Sequence, residues 1–190
     1  MNLYAKSDTG QYYQPEISVF KGDITKLEVD AIVNSANPYI AVGGGVDGAI
    51  HSAAGEGLFE EYKKIGGCKK GSAVITKGYN LYAKNVIHTV APIYGKENGN
   101  EKQILETCYI SCLEVAKENK IRTIAFPSIG TGAFRYPIEE ASKIAGKTIK
   151  EWLRKNLYTD VYIFNQIYFV LFSEEDKKVY LRNLKDIWSD

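Results

Sequence analysis

The chain has 190 residues, 45% of them hydrophobic and 25% charged, enough apolar mass for the core of one domain. Formal net charge is +1 with an isoelectric point near 7.6, which leaves no electrostatic footprint for sequence-specific nucleic-acid binding. No run of about 18 apolar residues is present, so no membrane span is predicted.

The cysteines are Cys68, Cys108 and Cys112, an odd number without a pairing framework, as expected in a reducing compartment. Cys108 and Cys112 have the spacing of two zinc ligands on a helix. With His51 and His88 the sole histidines, buried thiols are the simpler reading, and no metal is expected. The polar N-terminus lacks the apolar stretch of a leader, which predicts a cytoplasmic protein.

In chain order, residues 1–16 are polar and Tyr-rich and read as a loosely held lead-in, leaving a single domain over 17–190. Residues 17–20 alternate like a strand and stop at Gly22-Asp23-Ile24-Thr25. A second strand over 31–33 breaks into Asn34-Ser35-Ala36-Asn37-Pro38 and then the triplet Gly43-Gly44-Gly45. Helices are predicted over 48–54 and 57–65, the latter closed by Gly66-Gly67. Strands follow over 73–76 and 86–90, then a glycine- and charge-rich loop over 94–100.

Residues 101–119 have helical spacing, with Ile104, Leu105, Cys108, Cys112, Leu113, Val115 and Ala116 on one apolar stripe. A short strand over 123–126 ends at Pro127, before a second glycine loop, Ser128-Ile129-Gly130-Thr131-Gly132-Ala133-Phe134. Pro137 suits the start of a helix to about Lys155. Residues 167–172 form a continuous apolar strand, and Ser173 caps a final helix with acids in its first turn.

Alternating strands and helices, with several strands apolar throughout, predict an α/β fold whose largely parallel sheet is covered on both faces. Ligands in such folds bind beyond the carboxyl ends of the strands, where three suspicious loops would converge. Glycines let a backbone approach a ligand, and a helix N-terminus offers unpaired N–H groups. The stretch 31–55 is therefore read as a pocket for a phosphate-bearing ligand, with Asn37 and Asp47 beside it.

Two nucleotide fingerprints fail. Gly43-Gly44-Gly45-Val46-Asp47-Gly48 matches GxGxxG formally, but it does not follow its strand directly and no acidic residue closes a second strand. Residues 66–71 resemble half a phosphate loop, yet Ser72 stands where lysine is required.

An ordered set of segments instead resembles the macrodomain family, specifically its MacroD-type class of ADP-ribose-processing enzymes. They are GDIT at 22–25, DAIVNSAN at 30–37, GGGVDGAIH at 43–51, GSAVITKG at 71–78, VIHTVAP at 86–92, IAFPSIGTGAF at 124–134 and FVLFSEED at 169–176. The resemblance implies a three-layer α/β/α sandwich with a mixed, largely parallel sheet, binding ADP-ribose and needing no cofactor. It also implies a monomer acting on mono-ADP-ribosylated proteins, removing ADP-ribose from acidic side chains and deacetylating O-acetyl-ADP-ribose. Other macrodomain activities are a non-catalytic ADP-ribose reader and a phosphatase on ADP-ribose 1″-phosphate.

Carried residue by residue, Asp23 is similar to the adenine reader, with Ile24 as an apolar contact; Asp23 equally suits a turn cap. Backbone N–H groups of Gly44, Gly45 and Val46, and of Ser128, Gly130, Thr131, Gly132, Ala133 and Phe134, would form a nest for the diphosphate. Phe134 would pack on the distal ribose, or simply belong to the core. Asn37 resembles the ribose-binding asparagine. Asn34 is expected to fix the loop through side-chain-to-backbone bonds.

Asp47 resembles the aspartate that positions or activates water, although aspartate at a helix N-terminus also stabilises it by roughly 1 kcal/mol. His51 would share its helix face as a supporting catalytic residue or sit satisfied in the core. No Ser-His-Asp or Cys-His nucleophile pattern surrounds the pocket, so the chemistry implied is water attack. Three departures stand out: Val42 where a fourth glycine is common, Gly130 where serine is common, and Arg135 where glycine is common.

Overall fold

A computed structural model describes residues 15–156 and 164–188, preceded by the backbone of two short strands, β1 (Ala5–Lys6) and β2 (Tyr12–Tyr13), which pair antiparallel. Of the rest of the expected lead-in, Pro15 and Glu16 are described, with Glu16 opening the first strand of the main sheet, and the other residues lie outside the described ones.

The strands β3 (Glu16–Lys21), β4 (Ala31–Ser35), β5 (Ala73–Lys77), β6 (Asn85–Thr89), β7 (Thr123–Phe126) and β8 (Gln166–Leu171) form one 6-stranded sheet. Their order is β3-β8-β7-β4-β6-β5, parallel throughout except for the edge strand β5, which runs antiparallel to β6. The helices are α1 (Gly45–Ala54), α2 (Glu56–Ile65), α3 (Glu101–Glu118), α4 (Ile138–Asn156) and α5 (Glu174–Trp188).

Strand alternation sorts the layers. Along β4, Ala31 and Val33 face a core shared with α3, α4 and α5, while Ile32 faces Ile50 and Ala54 of α1 and Leu58 of α2. Helices thus cover both faces, which is the three-layer α/β/α sandwich. On α3 the predicted stripe is buried at Leu105, Cys108, Cys112, Leu113 and Ala116, joined by Tyr109, which shares that face. Cys108 and Cys112 are free, fully buried thiols, and burial pushes the Cys108 pKa up to about 11.

The helix ends follow local chemistry. Gly66 closes α2 in the left-handed conformation, and Ser173 Oγ accepts from Asp176 N at 3.0 Å to cap α5. One boundary moves: α1 begins at Gly45, a turn earlier than its composition suggests, because glycine scores poorly in a helix but serves well in a first turn without a side-chain cap. No described helix is long and apolar enough to cross a membrane.

Parallel pairing has one functional consequence. The carboxyl ends of β3, β8, β7, β4 and β6 all reach the same edge. The Asp23 turn and the glycine loop after β4 stand three strand spacings apart, about 14 Å, with β8 and β7 between them.

Candidate ligand cleft along the strand ends

At the β3 end, Ile24–Lys26 forms a one-turn 3-10 helix capped by Asp23. Asp23 Oδ1 accepts from Thr25 N at 2.9 Å and Thr25 Oγ1 at 2.7 Å. The capping role is therefore real, and it uses one oxygen; Oδ2 has no partner among the described residues, and the side chain is exposed. Ile24 departs from expectation. It is 5% exposed and packs with Ile32 and Ile50, so its apolar surface belongs to the core. The apolar group open at this end is Phe172, 92% exposed just past β8, between the Asp23 turn and the loop after β7. Sequence reading passed over Phe172 as the last residue of an apolar strand; the signal was its place directly before the capping Ser173.

The middle of the cleft is main chain. In the loop after β7, the carbonyls of Ser128, Gly130, Gly132 and Phe134 accept from Thr131 Oγ1 (3.1 Å), Tyr136 N (3.0 Å), Arg135 N (2.9 Å) and Tyr94 N (3.0 Å). The N–H groups of Ser128 and of Gly130 to Phe134 donate to no described acceptor, whereas that of Ile129 is directed at Tyr109. A loop with alternate carbonyls satisfied and most of its N–H groups unspent has the makings of an anion nest. Across from it, Gly44 precedes α1 without a side-chain cap, and the N–H groups of Gly44, Gly45 and Val46 are likewise unspent. A Cβ on Gly44, Gly45 or Gly132 would meet nothing within 4 Å, so these backbones face open space. Because β4 and β7 are adjacent and parallel, the two arrays share one edge.

Several side chains of these loops have other employment. Ser128 Oγ accepts from Tyr180 Oη at 2.9 Å, so its hydroxyl ties the loop to α5 and only its backbone remains for a ligand. Phe134 is half-buried against the main core cluster. Gly130 has φ 81°, where serine would be strained, and its Cβ would stand 3.3 Å from Ala91 Cβ. Arg135, exposed, adopts φ 56°, the left-handed region that glycine prefers.

Below the glycine loop lies a buried polar cluster between the sheet and α1–α2. Asp47 is 3% exposed, with Oδ1 accepting from Asn34 Nδ2 at 2.6 Å and Oδ2 accepting from Gly43 N at 2.5 Å. Asp47, expected to position or activate water, is turned inward and pins the glycine loop. Asn34 also departs from expectation, since its partners are side chains; Nδ2 lies 3.2 Å from His88 Nδ1 as well. His88 Nε2 is 2.9 Å from Thr76 Oγ1, and burial, with a smaller push from His51, drives its pKa down to about 3. His51, 7% exposed, places Nε2 3.6 Å from Asp47 Oδ1, beyond hydrogen-bond range. Burial lowers the His51 pKa, partly countered by the Asp47 charge.

Asn37 stands at the rim, its Oδ1 accepting from Tyr39 N at 3.0 Å. Asn37 and Asp47 meet at Gly43: a Cβ there would lie 3.0 Å from Asp47 Oδ2 and 3.6 Å from Asn37 Nδ2. The described residues hold no group of three or more His, Cys, Asp or Glu placed for a metal ion.

Comparison with known proteins bears on this cleft. The Macro domain family model matches residues 33–145. Human "ADP-ribose glycohydrolase MACROD2" is 50% identical over 189 residues, which is 99% of this chain and 44% of that protein. The chain spans less than half the length of the MACROD2 proteins it matches. A "Macro domain-containing protein" of Methanosarcina mazei is 46% identical over 171 residues, 90% of this chain and 89% of that one. Among solved structures, the Oceanobacillus iheyensis macrodomain with ADP has a TM-score of 0.83 at 38% identity, covering 90% of both chains. The Trypanosoma brucei macrodomain in complex with ADP-ribose has a TM-score of 0.79 at 37% identity, covering 87% of this chain and 68% of that one. Strand order, cleft and family match agree, and the chain belongs to the macrodomain family.

Proposed function

We propose that this chain binds ADP-ribose along the strand ends and hydrolyses the ester joining its distal ribose to an acyl group. Its substrates would be acidic side chains of mono-ADP-ribosylated proteins and O-acetyl-ADP-ribose. The observation that carries this reading is the pair of backbone arrays at one sheet edge, Gly44 to Val46 and Gly130 to Phe134, whose N–H groups are unspent. A diphosphate between them is held by oriented dipoles without lysine or arginine, consistent with a chain whose net charge is only +1. The names of the vertebrate relatives and the ADP-ribose in a solved neighbour support the same ligand.

Direction along the cleft follows from the ends. Asp23 Oδ2 and the Phe172 ring receive the adenine, by hydrogen bond and by stacking, so the distal ribose lies toward Asn37 and Gly43. Because Gly43 has no Cβ, the space bounded by Asp47 Oδ2 and Asn37 Nδ2 stays open. Water held there would be oriented by the carboxylate for attack on the acyl-ribose bond, with loop N–H groups stabilising the developing oxyanion. We place this activity in the cytoplasm, in a monomer, in keeping with three free thiols.

A second reading, a non-catalytic ADP-ribose reader, draws on one observation: both Asp47 oxygens already accept hydrogen bonds inside the protein. Calorimetry with ADP-ribose, combined with release from an acidic-residue substrate, separates the two. Asp47→Asn is isosteric and removes the charge, at the loss of one of the two accepted hydrogen bonds, so ADP-ribose affinity is measured alongside; an enzyme retains binding and loses about 100-fold or more of its release rate. Asp23→Ala weakens binding in either case. Undiminished release by Asp47→Asn removes its catalytic role, and no release by the wild type establishes the reader.

A further inference from the structure

Behind Asp47 stands a row of three buried polar side chains. Asn34, His88 and Thr76 come from the adjacent strands β4, β6 and β5, with Asn34 and His88 paired in register, and each is at most 3% exposed. They occupy the sheet face that α1 and α2 cover, where Tyr62 of α2 stacks on the His88 ring.

The carboxylate at one end sets the direction of every hydrogen bond in the row. An ionised Asp47 can only accept, so the Asn34 atom 2.6 Å from its Oδ1 is the amide NH2. The same Nδ2 lies 3.2 Å from His88 Nδ1, which must then accept. The imidazole proton is therefore on Nε2, where Thr76 Oγ1 accepts it at 2.9 Å. Asn34 Oδ1 is buried and has no partner, so the two acceptors at its nitrogen are what orient this amide. Turned over, it would set Oδ1 against the carboxylate and His88 Nδ1 together, an oxygen facing two acceptors.

We infer that His88 is a positioning residue for the proposed hydrolysis: its Nδ1 holds the Asn34 amide with the NH2 toward Asp47, and so keeps that carboxylate directed at Gly43. This rests on the hydrolase reading above. His88 itself is 0% exposed and acts through Asn34, while Asp47 Oδ2 accepts from Gly43 N beside the space assigned to water. Thr76 supports the arrangement by accepting from Nε2, which favours the tautomer that leaves Nδ1 bare.

Packing and hydrogen bonding call for different substitutes at His88, which makes the role separable from simple filling of space under α2. Phenylalanine keeps a ring against Tyr62 and offers no acceptor. Asparagine gives up the ring but can set its Oδ1 where Nδ1 was, the same number of bonds from Cα.

Release from a peptide bearing one ADP-ribosylated glutamate and calorimetric affinity for ADP-ribose are measured for the wild type, His88→Phe, His88→Asn, Asn34→Ala and the Asn34→Ala/His88→Phe pair. His88→Phe is expected to lose about tenfold or more in kcat with ADP-ribose affinity unchanged, and His88→Asn to recover most of that loss. In the Asn34→Ala background His88→Phe is expected to cost nothing further, because it acts through the amide already removed. 15N NMR of the wild type is expected to show His88 with its proton on Nε2. A proton on Nδ1, a wild-type rate in His88→Phe, a His88→Asn rate no better than that of His88→Phe, or an undiminished effect in the Asn34→Ala background overturns the positioning role and leaves the hydrolase reading intact. Loss of ADP-ribose binding in both His88 variants shows a role in folding alone and overturns it as well. No release by the wild type overturns both readings.

Discussion

His88 offers a test of the buried cluster that positions the glycine loop. Asn34 Nδ2 can only donate, so His88 Nδ1 accepts and the imidazole proton lies on Nε2, toward Thr76 Oγ1. The ring is fully buried and stacked on Tyr62, with centroids 4.6 Å apart. Burial, and secondarily His51, lower its pKa from 6.5 to about 3. The unfolded chain thus takes up a proton near 6.5, whereas the folded chain resists until about 3. Stability from the neutral ring is fully present above the unfolded value and is lost as pH falls toward the folded one. Between pH 7.5 and 5 the linkage amounts to about 2 kcal/mol. Urea denaturation across that range should show the loss in the wild type and a flatter profile in His88→Gln, which cannot titrate. His51, also lowered by burial, acts in the same direction and persists in the variant. A wild-type midpoint that does not fall, or a variant with the same dependence, refutes the account.

The other expectations concern the cleft itself. Phe172→Ala should change folding stability by no more than about 0.5 kcal/mol, the ring being 92% exposed, yet weaken ADP-ribose binding about tenfold by calorimetry through lost stacking. Gly48→Ala places a Cβ 2.7 Å from Gly43 O, so thermal unfolding should report a loss of about 1–3 kcal/mol, with weaker ligand binding as Gly43 shifts. Arg135→Gly relieves a left-handed residue at φ 56° and should raise stability by about 0.5–1 kcal/mol after the added chain entropy is subtracted. An unchanged or lower midpoint there would show that the Arg135 side chain holds its loop in some other way.

Much of the molecule is local and was legible in the chain. Short apolar runs located the six strands of the main sheet, one of them alternating, and helical spacing together with caps, glycine and proline located the five described helices, because each element must bury apolar residues in a core. Glycine and proline placement marked both anion loops, since positive φ and missing donors are properties of single residues. Order within the sheet was not legible. That β8 inserts between β3 and β7, bringing Phe172 beside the Asp23 turn, depends on pairings between residues about 150 positions apart. Asp47 carries the same lesson. Its place after the glycines could be read, but its direction could not, because Asn34 and His88 become neighbours only when β4 and β6 pair in register. Sequence by itself determined where this chain can turn and leave backbone N–H groups open. The tertiary structure alone decided which of its polar side chains line the cleft and which are spent below it, because a buried donor or acceptor must find its partner wherever the fold brings one.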